Sequence, residues 1–431
     1  MVHMDTGEGG RGGYGSSGGR GRGGYYQSNS NRGGYGQFNQ GGYSSYHNNS
    51  YHGNSNSNSN RGGGYWGGRG RRGRGRGGYY SGNQGRGGGN VLPQDVEFLS
   101  DLKGHKRKIT CMCLDQERGQ LYTGSHDQTV RVWNCQTGEC TATTEVGGEV
   151  DSMLMEGGFL FVGVKTTQGQ GQVKIWNMST MQNIVLEGHT GQVTALAAAN
   201  GMLFSGGQDK TIRVWKMNPS TGGFECAAVL QQEQDGHRAS VTFMCASGPF
   251  LFSGDSAGTI KVWDLAAGLI KQTLIKAHRN SQHPAIMSLL IWEGHLISGS
   301  LDGEIKIWEP AEPSTGNVVN PVSIYVYPEK EENQNHGKGG RGRGRSSYSR
   351  GPVNGVLSMC GVADLEGKAV LMVSYNSENS VRLFELPTFI DRGSLGHIVN
   401  PRAMIGFPPG NLMIAGDETG KVKCWKWKSV Q

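Results

Sequence analysis

Six short runs in this chain end in tryptophan: TVRVW at Trp133, QVKIW at Trp176, TIRVW at Trp215, TIKVW at Trp263, EIKIW at Trp308 and KVKCW at Trp425. Successive tryptophans lie 43, 39, 48 and 45 residues apart, and then 117. A seventh copy, SVRLF, falls inside that gap and ends at Phe384. Each run is short, rich in β-branched residues and bounded by turn signals, as a strand should be. A period of this length restricts the body of the chain to a repeat architecture.

Upstream of most copies stands a Gly-His or its variant, at His105, His189, His237, His278 (as Ala-His) and His397. Together these features resemble the WD-repeat propeller family, with four strands per blade and a period of roughly 40–45 residues. The resemblance implies an all-β, seven-bladed propeller over residues 91–431. In that family a His, a Ser or Thr, an Asp and a Trp form a structural tetrad. Three blades match it: His105, Thr123, Asp127 and Trp133; His189, Ser205, Asp209 and Trp215; His278, Ser298, Asp302 and Trp308. In each, the Asp lies four after the hydroxyl and six before the Trp.

The other blades depart. The fourth has His237, Ser253 and Trp263 but Ala257 in the Asp slot; the seventh has His397 and Trp425 but Ala415 and Thr419. The sixth has Ser374, Glu378 and Phe384 without a Gly-His, and the second has Trp176, no His and an extended KTTQGQGQ turn. Weaker cohesion is expected in these blades. His and Asp together invite a catalytic reading, but triplets that recur blade after blade suit scaffold chemistry. No phosphate-cradling loop, supported Cys–His pair or metal cluster is found, so no enzyme and no cofactor is expected. At the seam, Val96–Leu99 precedes the first Gly-His and is expected to complete the last blade, removing two free edges.

Residues 1–90 are of another kind. Thirty-two are Gly, and Val2 is the only Val, Ile or Leu. So few aliphatics cannot offset a backbone entropy cost of about 1–2 kcal/mol per residue, and a disordered arm is expected. Its eleven arginines stand against Asp5 and Glu8, a net +9; taking these from the 42 basic and 35 acidic residues of the whole leaves −2 for the remainder. RG or RGG units begin at Arg11, Arg20, Arg22, Arg32, Arg61, Arg69, Arg72, Arg74, Arg76 and Arg86, interleaved with ten tyrosines that include Tyr25, Tyr35, Tyr65 and Tyr79. Guanidinium groups bind phosphate and stack on bases, and tyrosine rings offer stacking platforms. The arm also resembles the RGG boxes of RNA-binding proteins, whose arginines are common methylation substrates. RNA is the partner this pattern suits; a solubilising linker is the plainer alternative. Arm-driven self-association through Arg–Tyr contacts is compatible with either.

An insertion at 328–352, PEKEENQNHGKGGRGRGRSSYSRGP, carries Arg341, Arg343 and Arg345 and reads as a second RG box or a solvated loop. Lys106-Arg107-Lys108 is a small basic patch near the rim, or a solvated triplet. The start, MVHMDTGEGGRGG, has no apolar core of signal-peptide length, and no run of about eighteen apolar residues exists, so neither secretion nor a membrane is expected. The eight cysteines are then expected to be reduced thiols.

Longer stretches, LYTGSHDQTVRVWNCQTGEC, GGEVDSMLMEGGFLFVG, VLSMCGVADLEGKAVLMVS and RLFELPTFIDRG, with the KCWKW ending, resemble the plant family that combines CCCH zinc fingers with WD repeats. That resemblance implies an RNA-associated, nuclear protein, with the cytoplasm as the alternative location. Zinc is not carried over, because no Cys occurs before Cys111. Function then reads as an RNA-binding adaptor whose propeller faces recruit proteins. A pure scaffold, such as a ubiquitin-ligase substrate receptor, is the alternative. The one Trp-Asp, Trp263-Asp264, continues as Leu265-Ala266 and not as the ligase-docking motif.

Overall fold

The computed structural model describes residues 92–231, 236–275, 277–278, 284–310, 319–327, 354–376 and 378–429. The arm at 1–90 and the insertion at 328–352 lie outside them, and with them every RG-box arginine and tyrosine named above.

The described chain forms seven four-stranded antiparallel sheets. Strand β1 (Val96–Lys103) comes first in sequence but belongs to the last blade. Blade one is β2 (Ile109–Asp115), β3 (Gln120–Ser125), β4 (Thr129–Asn134) and β5 (Cys140–Glu145). Blade two is β6 (Gly148–Glu156), β7 (Phe159–Thr166), β8 (Gly171–Asn177) and β9 (Asn183–His189). Blade three is β10 (Val193–Ala199), β11 (Met202–Gly207), β12 (Ile212–Met217) and β13 (Phe224–Leu230). Blade four is β14 (Val241–Ser247), β15 (Phe250–Asp255), β16 (Ile260–Asp264) and β17 (Leu269–Leu274). Blade five is β18 (Ile286–Trp292), β19 (His295–Ser300), β20 (Ile305–Pro310) and β21 (Val319–Tyr327). Blade six is β22 (Val356–Ala363), β23 (Ala369–Tyr375), β24 (Ser380–Glu385) and β25 (Ile390–Gly396). Blade seven is β26 (Ala403–Phe407), β27 (Leu412–Gly416), β28 (Lys421–Trp427) and β1.

The first strand of each blade packs against the first strand of the next, and β26 packs against β2 to close a ring. Burial falls from the axis outward: every residue of β2 is buried and every residue of β5 is exposed. A strand buried on both faces needs a largely apolar sequence, which ITCMCLD supplies apart from Thr110 and Asp115; a rim strand such as CTATTE needs none. Core formation is therefore a blade-to-blade matter. Glycine sets the spacing: a Cβ on Gly124 would come within 2.5 Å of Val150, and one on Gly416 within 2.6 Å of Ile109. Only a residue without a side chain lets the second strand of one blade approach the first strand of the next.

Hydroxyls then tie neighbouring blades. Thr110 Oγ1 donates to Val150 O at 2.7 Å, Ser152 Oγ to Val193 O at 3.0 Å and Thr194 Oγ1 to Val241 O at 2.6 Å. Thr110 and Thr194 sit at β-bulges, where the register slips between Ile109 and Cys111 and between Val193 and Ala195. The extra residue re-aims its side chain across the seam.

Closure follows the expected route and runs further than Val96–Leu99. Strand β1 pairs with β28 from Val96 opposite Trp427 to Lys103 opposite Lys421. Lys423 Nζ binds Asp101 at 2.6 Å, and Arg392 of blade six reaches both Asp95 and Asp364. Among the described residues no helix is long and apolar enough to cross a membrane.

Candidate functional site

The three tetrads expected from spacing are brought together. In blade one, His105 Nε2 lies 2.9 Å from Thr123 Oγ1, His105 Nδ1 lies 2.9 Å from Asp127, and Trp133 Nε1 donates to Thr123 at 2.8 Å. Blade three repeats this with His189 at 2.8 Å from both Ser205 and Asp209, and Trp215 at 2.8 Å from Ser205. Blade five has His278 at 2.8 Å from Ser298 and 3.1 Å from Asp302, with Trp308 at 2.9 Å. Direction follows from chemistry. An indole N–H only donates, so the hydroxyl accepts it and turns its own hydrogen to imidazole Nε2; Nδ1–H then donates to the carboxylate.

Electrostatics agrees with that order. Burial alone would raise the Asp127 carboxyl, but hydrogen bonds from His105, Thr129 and the Lys106 backbone outweigh it and hold it well below the usual range. Asp209 and Asp302 are lowered in the same way, against burial, by His189 and His278. A histidine pinned between a hydroxyl and an ionised carboxylate, with no open substrate position, is saturated by structural bonds.

Blade four corrects the sequence reading. It forms a complete tetrad: His237 lies 2.9 Å from Asp255 and 2.7 Å from Ser253, and Trp263 donates to Ser253 at 2.8 Å. The acid is two residues after the serine, at the end of β15, and not in the turn position held by Ala257. Its second oxygen accepts Ala257 N and Thr259 N, so one carboxylate both orients the histidine and caps the turn. Burial, working against Asp255, pushes His237 below its ordinary value.

Among the described residues, blades two, six and seven lack the set. In blade two the register places Val162 opposite Lys174, where blade one has Thr123 opposite Arg131. The Trp176 indole has no hydroxyl at that place and is half-buried. In blade six Phe384 is wholly buried against an apolar cluster, and Ser374 bonds Ser358 O at 3.4 Å. In blade seven His397 is exposed at φ 63°, and Ile398 is buried in its stead. Asp417 there caps its own turn through Thr419 and Lys421.

One titratable cluster was not read from the sequence. His126 Nε2 lies 3.0 Å from Asp151, which occupies the bulge position held by Thr110 and Thr194 in their blades. Burial raises the Asp151 carboxyl despite His126. Arg107 binds Glu149 at 3.0 Å and His126 O at 3.1 Å, and half-buried Lys108 is lowered by burial and then by Arg402. The basic patch is thus split: Lys106 and Arg107 are exposed, and Lys108 is half-buried. The His126 of Ser-His-Asp was the signal, overshadowed by Asp127 beside it. His278, Asp302 and Glu304 also lie close enough to hold a metal ion, but His278 and Asp302 belong to a tetrad. At the Trp263-Asp264 pair, Asp264 accepts Ala266 N and Ala267 N and serves its turn.

Residues 96–134, 181–216 and 227–264 match the model of the WD domain, G-beta repeat. A rice protein, zinc finger CCCH domain-containing protein 17, is 34% identical over 78% of this chain and 67% of its own length. Two Arabidopsis thaliana proteins, zinc finger CCCH domain-containing proteins 48 and 63, are 33% and 34% identical over 77% and 78% of the chain, each along 67% of the relative. Seven blades, the matched repeats and this extended likeness show a WD-repeat propeller that belongs to one family with these plant proteins.

Proposed function

We propose that the protein is an RNA-binding adaptor: the RG boxes at 1–90 and 328–352 contact RNA with low sequence specificity, and the propeller recruits protein partners. The observation that carries this is the partition of charge and aromatic groups. Arginine and tyrosine are interleaved in an arm of net +9, while the remainder of the chain sums to −2. Relatives named for CCCH zinc fingers support a nucleic-acid setting. WD propellers are commonly non-enzymatic scaffolds, and the saturated tetrads favour that role over catalysis. A nuclear location is part of the same reading.

The test is crosslinking of intact protein and of protein lacking 1–90 to cellular RNA, with sequencing of what is bound. Most RNA should be lost with the arm. In vitro, affinity should fall with salt at a log–log slope of about −0.7 per phosphate neutralised on single strands. Equal RNA binding by the two forms would refute the proposal. The near-neutral charge of residues 91–431, −2 in sum, favours a pure protein-interaction scaffold as the second reading. Partners that survive nuclease during purification would support that reading.

A further inference from the structure

Blades one and two do not fill the outer half of their shared seam. Between blades two and three, Phe224 meets Phe159 and Phe161 edge-on at 5.8 and 5.9 Å. One blade earlier the register puts Gln120 where Phe159 stands, since Gln120 faces Asn134 as Phe159 faces Asn177. A groove of about 400 Å³ results, lined by Tyr122, Val130, Val132, Leu160, Trp176 and Met178. Met181 borders it with 67% of its surface exposed. A second hollow shares Arg118 with the groove and carries Asp115, Glu117 and Glu156. Among the described residues Arg118 is its one lining cation, and it is already bound to Asp115 at 2.7 Å. The pair makes an apolar slot with an acidic border.

Both open on the face formed by the turns between first and second strands and between third and fourth strands. Met178 N, in one such turn, donates to Gly158 O in another at 2.9 Å. The chain enters the described structure on this same face: Lys428 N, just past β28, donates to Asp95 O at 2.9 Å. Blade seven, where it enters, adjoins blade one.

We propose that the groove seats the chain's own arm at Tyr65–Tyr80. That segment, YWGGRGRRGRGRGGYY, brackets its arginines with aromatic residues at both ends. A ring enters the slot against Trp176 and the thioethers of Met178 and Met181, and guanidinium groups meet Glu117 and Glu156. The residues between Tyr80 and Leu92 span up to about 40 Å when extended, enough to pass one blade. An arginine–tyrosine segment held there is withheld from nucleic acid, so the groove acts as an internal competitor. The groove itself stands whether or not the arm binds RNA.

The test places the photoreactive residue p-benzoylphenylalanine at Tyr65, Tyr79 or Tyr80 of the full-length protein, without RNA. Irradiation should join at least one of these positions to Met178 or Met181. Glu117→Lys with Glu156→Lys, both at exposed sites, should lower the yield roughly fivefold, and high salt should do the same without any substitution. Mixing isotope-labelled and unlabelled protein should give joined peptides of one label. Mixed labels would assign the groove to a second copy's arm. That result, scattered products, or a yield indifferent to both charge and salt would overturn the proposal. Because RNA is absent, failure of the RNA-binding reading leaves this result untouched.

Discussion

Asp255 and Asp127 orient equivalent histidines from different places in the chain, one at the end of a strand and one in the turn that follows. What the tetrad requires is a carboxylate beside imidazole Nδ1, and a tight turn brings both positions within reach. Spacing alone therefore revealed blades one, three and five and missed blade four. Asp255→Asn should cost about 1–3 kcal/mol of unfolding free energy in urea titrations, because a buried histidine loses its charged partner. Ala257→Asp in that background should not restore it. The pH dependence has a definite sign. His237 is depressed below 6.5 in the folded state, so its neutral form contributes stability above that pH. The stability falls as pH drops through about 6.5 toward the folded value, because the unfolded chain takes the proton first. The lowered Asp127, Asp209 and Asp302 contribute above about pH 4 and are lost below it. Urea midpoints measured across this range should show both steps, and His237→Asn should flatten the upper one.

Strands were the most legible elements, because TVRVW and its copies combine β-branched residues with a fixed period. The links between blades were not legible, since a bulge at Thr110 or Asp151 leaves no mark in local sequence. The same bulge does not always make that link, for Thr242 sits at one too. Thr110 bridges blades one and two, whereas Thr242, only 2% exposed in blade four, has no hydrogen-bond partner for its hydroxyl among the described residues. Thr110→Val should cost about 1 kcal/mol, and Thr242→Val should be neutral or stabilising. Chemical denaturation of the two variants side by side checks this. The underfilled groove was equally invisible, because it arises from Gln120 and Met178 on different sheets.

At the scale of the ring, the terminal strand was readable as Val96–Leu99 because a strand-like run stood before the first Gly-His with no blade of its own. Deleting residues 92–103 should leave β28 without its partner and convert a cooperative thermal transition into aggregation, observable by light scattering. Deleting 1–91 should leave the melting temperature nearly unchanged. The described residues nearest the two RG segments lie on opposite faces of the propeller. Asp95 is held at the end of β28, while Tyr327 lies opposite Ile305 at the other end of the blade stack.

Among the described strands β1 comes first along the chain, and its partner β28 comes last. During synthesis the opening strand must wait, unpaired, while the intervening six blades emerge from the ribosome. The nascent ring stays an open arc throughout that interval, and its circle is sealed only after KVKCWKW has cleared the exit tunnel.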